Sequence, residues 1–198
     1  MPIICVEGPR AVGKTTVCLE LQDVYGAYII SNLPVDQNED IWKQCDRQIE
    51  RWQLAEEKSK KFAVVVLDGD VFSPLIHLAS LQHEHDKNTY KQIEPFQYAF
   101  MDEKIGFADQ YFYLQASEAT IQKRKLKKQK QHYNNINYGY YYENFSEMLA
   151  EKFHRIQAVH EKKSARQVMH KLSTKPWERY NRKIFQHMRT LLLQENRL

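Results

Sequence analysis

Three cysteines, six glycines and six prolines among 198 residues rule out several architectures. Cys5, Cys18 and Cys45 have neither CxxC nor metal-ligand spacing, and an odd count of three gives no disulfide framework. With no signal-peptide pattern at the start, they point to a reducing cytoplasm. No apolar run approaches the roughly 18 residues that span a bilayer, so a soluble protein is expected. Internal repeats and low-complexity linkers are also lacking. Charge is mild, +4 with a pI of about 8.8. The basic residues gather between Lys123 and Lys130, which favours a local phosphate-handling patch over a general nucleic-acid surface. At 23.7 kDa the chain suits one α/β domain over residues 1–198, with helices on both faces of a sheet.

What is present begins at the N-terminus. The segment Glu7 to Thr16, EGPRAVGKTT, places Gly8, four intervening residues and then Gly13-Lys14-Thr15. Gly8 and Gly13 permit backbone angles closed to residues with a Cβ, so the loop between them curls and turns its N–H groups toward an anion. Gly8, Pro9, Arg10, Ala11, Val12, Gly13, Lys14, Thr15 and Thr16 are therefore read as the nucleotide-binding loop. In it Lys14 reaches the β- and γ-phosphates, Thr15 is a ligand to Mg²⁺, and the following helix contributes its positive N-terminal end. The apolar run Ile3 to Val6 before the loop, and Val17, Leu21 and Val24 at helical spacing after it, supply the strand and helix this motif requires.

Tyr28 to Ile30 reads as a second strand, followed by a turn punctuated by Pro34. From Asp40 to about Lys60, Ile41, Cys45, Ile49 and Trp52 define one face of an amphipathic helix. Asp36, three residues before Glu39, has capping-box spacing; it is either a helix cap or a carboxylate facing the substrate hydroxyl as general base. Phe62 to Leu67 is a β-branched run expected to be buried on both sides in a parallel sheet, and it ends in Asp68-Gly69-Asp70. Ligands of α/β sheets collect at such strand ends, so Asp68 is read as a Mg²⁺ ligand, with an Asp-Gly turn as the alternative. Asp70 is open among metal ligand, substrate-orienting group and turn cap.

Further on, Ser73-Pro74 opens a helix, and His83 to Asp86 reads as a solvated loop because consecutive residues cannot share a helix face. Tyr90 to Lys104 carries Phe96 and Phe100 at helical spacing, with Pro95 starting the main part. Tyr111 to Leu114 is a fourth strand and Ser117 caps the next helix. That helix runs into the basic segment, either a solvated face or the cationic patch that closes over a transferring phosphoryl group. His132 to Asn144 is tyrosine-rich without periodicity, as in a mobile lid over residues of about 124–144. Phe145 to His160 reads as a long helix, Gln167 to Leu172 as a fifth, edge strand, and Pro176 as the start of a last helix through Leu191.

In this order the chain resembles the nucleoside and nucleotide kinases of the P-loop superfamily, above all the deoxynucleoside and thymidylate kinase group. GPRAVGKTT is similar to the GPxGxGKTT loop of herpesvirus-type thymidine kinases. Tyr113-Leu114-Gln115-Ala116-Ser117 with Thr120 and Arg124 is similar to the strand and helix that lead into the lid of this group. The resemblance implies a three-layer fold with a five-stranded parallel sheet in the order 2-3-1-4-5. It also implies ATP and Mg²⁺ as cofactors, Arg124 and Lys128 neutralising developing charge, and homodimers, which are common in the group. The catalytic set is then Lys14, Asp68, Arg124, Lys128 and Asp36, with Thr15 and Asp68 holding the metal. The expected activity is transfer of the γ-phosphoryl of ATP to a nucleoside or nucleotide, with no membrane or nucleic-acid partner. Two departures stand out: Gly69 where the group carries an arginine, and no glutamate between Ser31 and Asp36. They keep a second expectation open, an antibiotic or metabolite hydroxyl as acceptor, beside a third, a regulatory P-loop ATPase.

Overall fold

A computed structural model of the protein describes residues 1–33, 39–81, 88–127, 138–158, 160–175 and 177–194. Five strands form one parallel sheet: β1 (Ile3–Glu7), β2 (Tyr28–Ile30), β3 (Val65–Asp68), β4 (Gln110–Gln115) and β5 (Phe153–Gln157). Their order is β2-β3-β1-β4-β5, as the resemblance implies. Ile3 pairs with Val65 and Ile4 with Gln110, so β1 lies in the middle with its C-terminal end flanked by those of β3 and β4.

The period of two along each strand divides the core. Ile4, Val6, Val66, Phe112 and Leu114 face α1 (Lys14–Tyr25) and α7 (Glu161–Lys171) in one cluster. Ile3, Cys5, Val65, Leu67, Tyr111 and Tyr113 face the other, built from α2 (Ile41–Ser59), α3 (Ser73–Leu81), α4 (Asn88–Met101), α6 (Tyr138–Leu149) and α8 (Arg182–Gln194). On that second face Phe72, Phe100, Phe107 and Phe185 pack ring against ring, with Phe100 and Phe185 stacked at 4.4 Å. Burial of each such side chain contributes about 1.5–3 kcal/mol. Helix α5 (Glu118–Lys127) follows β4, and the Ser117 hydroxyl accepts from Thr120 N at its start.

Several sequence expectations are corrected. The fifth strand is Phe153–Gln157, not Gln167–Leu172, which belongs to α7; the helix expected from Phe145 to His160 ends at Leu149. Only Ile156 is buried on β5, so an exposed edge strand of alternating polar residues carries little apolar pattern. Residues 138–144, read as aperiodic, are helical, and Tyr141, Tyr142 and Phe145 bury one face of α6. Pro95 lies inside α4 rather than at its start, β3 begins at Val65 rather than Phe62, and Val24 is exposed while Cys18 is buried. Trp177 and Tyr180 precede α8, which begins at Arg182. The cap of α2 is Asp40, whose carboxylate accepts from Trp42 N, so Asp36 is not that helix's cap. Pro34, Asp36, His83 to Asp86, residues 128–137 of the expected lid with Lys128 and Lys130, and Pro176 lie outside the described residues.

Candidate active site at the phosphate loop

Backbone sterics make the loop. A Cβ on Gly8 (φ 144°) would stand 2.5 Å from the Leu114 carbonyl oxygen, so β4 passes too close for any side chain there. Gly13 at φ 108° turns the chain into α1, and Val17 N–H donates to its carbonyl to begin the helix. Val12 is buried, pinning the loop's middle from inside, while Arg10, Thr15 and Thr16 stay exposed. Ala11 takes the left-handed conformation at φ 66° without being glycine, a local strain of a kind that collects at functional sites.

Three polar groups converge on this loop. The Lys14 ammonium donates to Gly8 O at 2.6 Å and lies 3.7 Å from Glu7 Oε1. The Thr15 hydroxyl donates to Asp68 Oδ2 at 2.7 Å, joining the head of α1 to the end of β3. From α5, Arg124 donates to Val12 O at 2.5 Å and to Ala158 O at 3.2 Å, tying the basic helix to the loop and to the end of β5. The structure thus brings Lys14, Thr15, Asp68 and Arg124 together. Lys128 and Asp36 lie outside the described residues.

Behind them is a buried polar layer. Glu7, Asp68 and Asp70 are all nearly inaccessible, and Arg51 of α2 is buried beside them. Arg51 donates to Gln48 Oε1 and to the carbonyl oxygens of Asp68 and Gly69, while its Nε has no hydrogen-bond partner among the described residues. Burial pulls the guanidinium below its ordinary value, opposed by the neighbouring carboxylates. Burial pushes the Asp70 carboxyl up to about 7; the Phe72 N–H it accepts opposes the rise and the Glu7 charge adds to it. Over Gly69 sits the Asn32 amide, so close that a Cβ would come within 2.9 Å of its nitrogen.

Sequence reasoning overlooked Glu7, Arg51 and Tyr142. Gln44, Gln48 and Arg51 stand at i, i+4 and i+7, which reads as the solvent face of α2 yet is buried, with Arg51 on the end of β3. Glu7 carried a signal in principle: a carboxylate that ends an otherwise apolar central strand.

Thr15 Oγ1 and Asp68 Oδ2 are hard oxygens within reach of one divalent ion. No group of three or more His, Cys, Asp or Glu able to hold a metal occurs among the described residues. The Thr15 and Asp68 oxygens by themselves suit Mg²⁺, which takes one or two protein oxygens and completes its shell with water and phosphate.

Neither a protein-family model nor a curated protein matches the sequence. Solved structures do resemble it. Deoxyadenosine kinase from M. mycoides, with dCMP and dCDP bound, superposes with a TM-score of 0.59 at 18% identity, over 85% of this chain and 97% of that one. The YorR protein of Bacillus subtilis, in complex with phosphorylated GDP, gives 0.52 at 19% identity over 85% and 94%. Thymidylate kinase from Candida albicans gives 0.51 at 12% over 85% and 89%. The chain has the P-loop nucleotide kinase fold. Lys14, Thr15 and Asp68 lie at the start of α1 and the end of β3, beside the end of β1, where open α/β sheets collect their ligands.

Proposed function

We propose that the protein is an ATP-dependent kinase that transfers the γ-phosphoryl group to a nucleoside or nucleotide from a single domain. The observation that carries this reading is the Thr15 hydroxyl paired with the Asp68 carboxylate at 2.7 Å, beside the Lys14 ammonium at the head of α1. Lys14 and the amides of residues 8–16 hold the triphosphate. Thr15 and Asp68 hold Mg²⁺, which when bound supplies charge neutralisation between the phosphates. Arg124, which donates to the Val12 carbonyl, neutralises charge on the equatorial oxygens in this reading, with Lys128 as its companion from the same basic segment. The proton of the acceptor goes to Asp68 or to Asp36. A homodimer and a cytoplasmic location belong to the same reading; among the described residues no helix is long and apolar enough to cross a membrane.

One observation favours a second reading, a non-nucleotide acceptor. The end of β3 is organised by Asn32 lying on Gly69 and by Arg51 beneath it, not by an arginine at position 69. An ADP-release assay with ATP-Mg²⁺ and a panel of nucleosides and nucleoside monophosphates, with Lys14→Ala as blank, separates the two. Acceptor-dependent turnover lost in the variant supports the nucleoside or nucleotide kinase. Failure of the whole panel with ATP binding intact transfers the reading to another small-molecule hydroxyl. Slow hydrolysis indifferent to any acceptor indicates a regulatory ATPase.

A further inference from the structure

Glu7 is a buried carboxylate in the last position of the central strand, and each of its oxygens faces donors only. Oε1 accepts from Gly8 N–H at 2.9 Å and lies 3.7 Å from the Lys14 ammonium. Oε2 accepts from Asp70 N–H at 2.9 Å and lies 3.4 Å from the Tyr142 hydroxyl. That hydroxyl is also 3.3 Å from Asp70 Oδ2. One side chain therefore touches the first residue of the loop, the loop's lysine, the turn after β3 and helix α6.

We propose that Glu7 is a positioning residue of the phosphate loop, setting the place of Gly8 and Lys14, and that Tyr142 acts through it by fixing the carboxylate from the α6 side. A charged acceptor suits this place for two reasons. Hydrogen bonds to an ionised group are about twice as strong as neutral ones, and a buried N–H left without an acceptor costs about 1–3 kcal/mol. No neutral isostere serves both sides. In Glu7→Gln the amide nitrogen must point either at Gly8 N–H and Lys14 or at Asp70 N–H and Tyr142, donor against donor. The strand's alternation supports the assignment, because Glu7 shares the parity of Ile3 and Cys5, whose side chains lie in the cluster to which α6 contributes, while the loop that follows leads into α1. Tyr142 is anchored independently: its ring packs at 5.0 Å on Tyr141 and 5.4 Å on Tyr113, so removing the hydroxyl leaves the ring held.

This inference rests on the loop being a nucleotide site, and the experiment keeps the two apart. Wild type, Lys14→Ala, Glu7→Gln, Tyr142→Phe and the Glu7→Gln/Tyr142→Phe double variant are compared as folded proteins. Displacement of a fluorescent ATP analogue by ATP-Mg²⁺ and by inorganic tripolyphosphate is measured, with melting temperatures taken in parallel. Glu7→Gln is expected to weaken both competitors about tenfold and Tyr142→Phe about threefold, the effect of one or two perturbed charge-assisted hydrogen bonds. The double variant should be no weaker than Glu7→Gln, since Tyr142 works through that carboxylate. A purely structural role lowers the melting temperature and leaves the affinity of the folded protein unchanged. Wild-type or tighter affinity in Glu7→Gln overturns the proposal, and if that variant does not fold, wild-type affinity in Tyr142→Phe does so alone. Lys14→Ala binding ATP as well as wild type overturns the nucleotide site itself; its loss beside unaffected Glu7 and Tyr142 variants overturns only the positioning role.

Discussion

On the face covered by α1 and α7 the strands present Ile4, Val6, Val66 and Leu114 to aliphatic partners such as Val17, Leu21 and Val168. On the opposite face the same strands meet a nest of Phe and Tyr rings from α4, α6 and α8 and from Phe72 just before α3. The first face holds two helices and ends in a loop whose chemistry is mostly backbone N–H. The second ends in side chains, with Glu7, Asp70, Arg51 and Tyr142 buried beside the rings. Alternation along the strands sorts the carboxylates between them. Asp68 shares the parity of Val64 and Val66 and meets Thr15 on the α1 side, while Glu7, in the next strand, faces α6. Neighbouring strand ends thus turn their carboxylates to different faces, Asp68 to the Thr15 hydroxyl and Glu7 to the loop backbone and α6.

That contrast is open to test from either side. Lys14→Ala removes a cation from the loop without touching the core; turnover should fall by at least about 100-fold, the order lost when one charge-stabilising group is removed, with the melting temperature unchanged. Retention of wild-type turnover would remove the loop from the chemistry. Phe100→Ala attacks the aromatic face instead. Phe100 packs on Phe72, Phe107 and Phe185, and its truncation should cost about 3–5 kcal/mol in urea unfolding, whereas any loss of activity should track the folded fraction. Asp68→Asn, on the loop side, should raise the Mg²⁺ needed for half-maximal turnover by about tenfold, equivalent to roughly 1.4 kcal/mol; an unshifted Mg²⁺ titration would take Asp68 out of the metal site.

The smallest effect lies at the sheet edge, remote from both chemistries. Ser173 N–H donates to Gln110 Oε1, which leaves Gln110 Nε2 to donate to Lys171 O and to His154 Nε2 at 2.9 Å. His154 must then accept through that nitrogen and be neutral, and burial followed by the Lys171 and Lys152 charges lowers its pKa. A histidine whose folded pKa lies below the unfolded value near 6.5 binds fewer protons when folded, so its stabilising contribution is present above that pH and is lost as pH falls through it. Between pH 7 and pH 5 the buried Asp70 carboxyl, raised to about 7, stabilises on acidification in both proteins, so the His154 contribution is read as a difference: wild type should lose melting temperature relative to His154→Gln as pH falls. An identical slope in the two proteins would assign the pH dependence elsewhere.

Legibility in the sequence followed how each element is buried. The loop, β1, β3 and β4 were readable because both faces of a central parallel strand are apolar and the glycine spacing is demanding. The strand order came from the resemblance, not from periodicity. Strand β5 was hidden because FHRIQ has one buried residue at an edge, and Gln167 to Leu172 mimicked a strand although Ala165 and Val168 lie on a helix face. Helix α6 was masked by YGYYYEN, where Gly139 and a run of tyrosines are poor helix formers and tertiary burial decides. Lys14 and Thr15 were proposed from the loop motif, Asp68 from its place at a strand end and Arg124 from the resemblance, and the structure brings the four together. Arg51 and Tyr142 were not, since a charged residue on α2 and a tyrosine in a polar stretch both resemble surface until the sheet end is seen to bury them.

The three free cysteines give the molecule an internal clock. Cys5 lies on β1 two residues before Glu7, Cys18 on α1 just past Thr15, and Cys45 on α2; all are buried. Burial drives all three thiols upward, Cys45 to about 12, so the reactive thiolate is scarce at neutral pH and shielded from reagents. Alkylation therefore proceeds only as fast as the surrounding structure opens. Site-resolved labelling of Cys18 against Cys45 times the breathing of the loop helix separately from that of α2, without a dye, a ligand or a substitution.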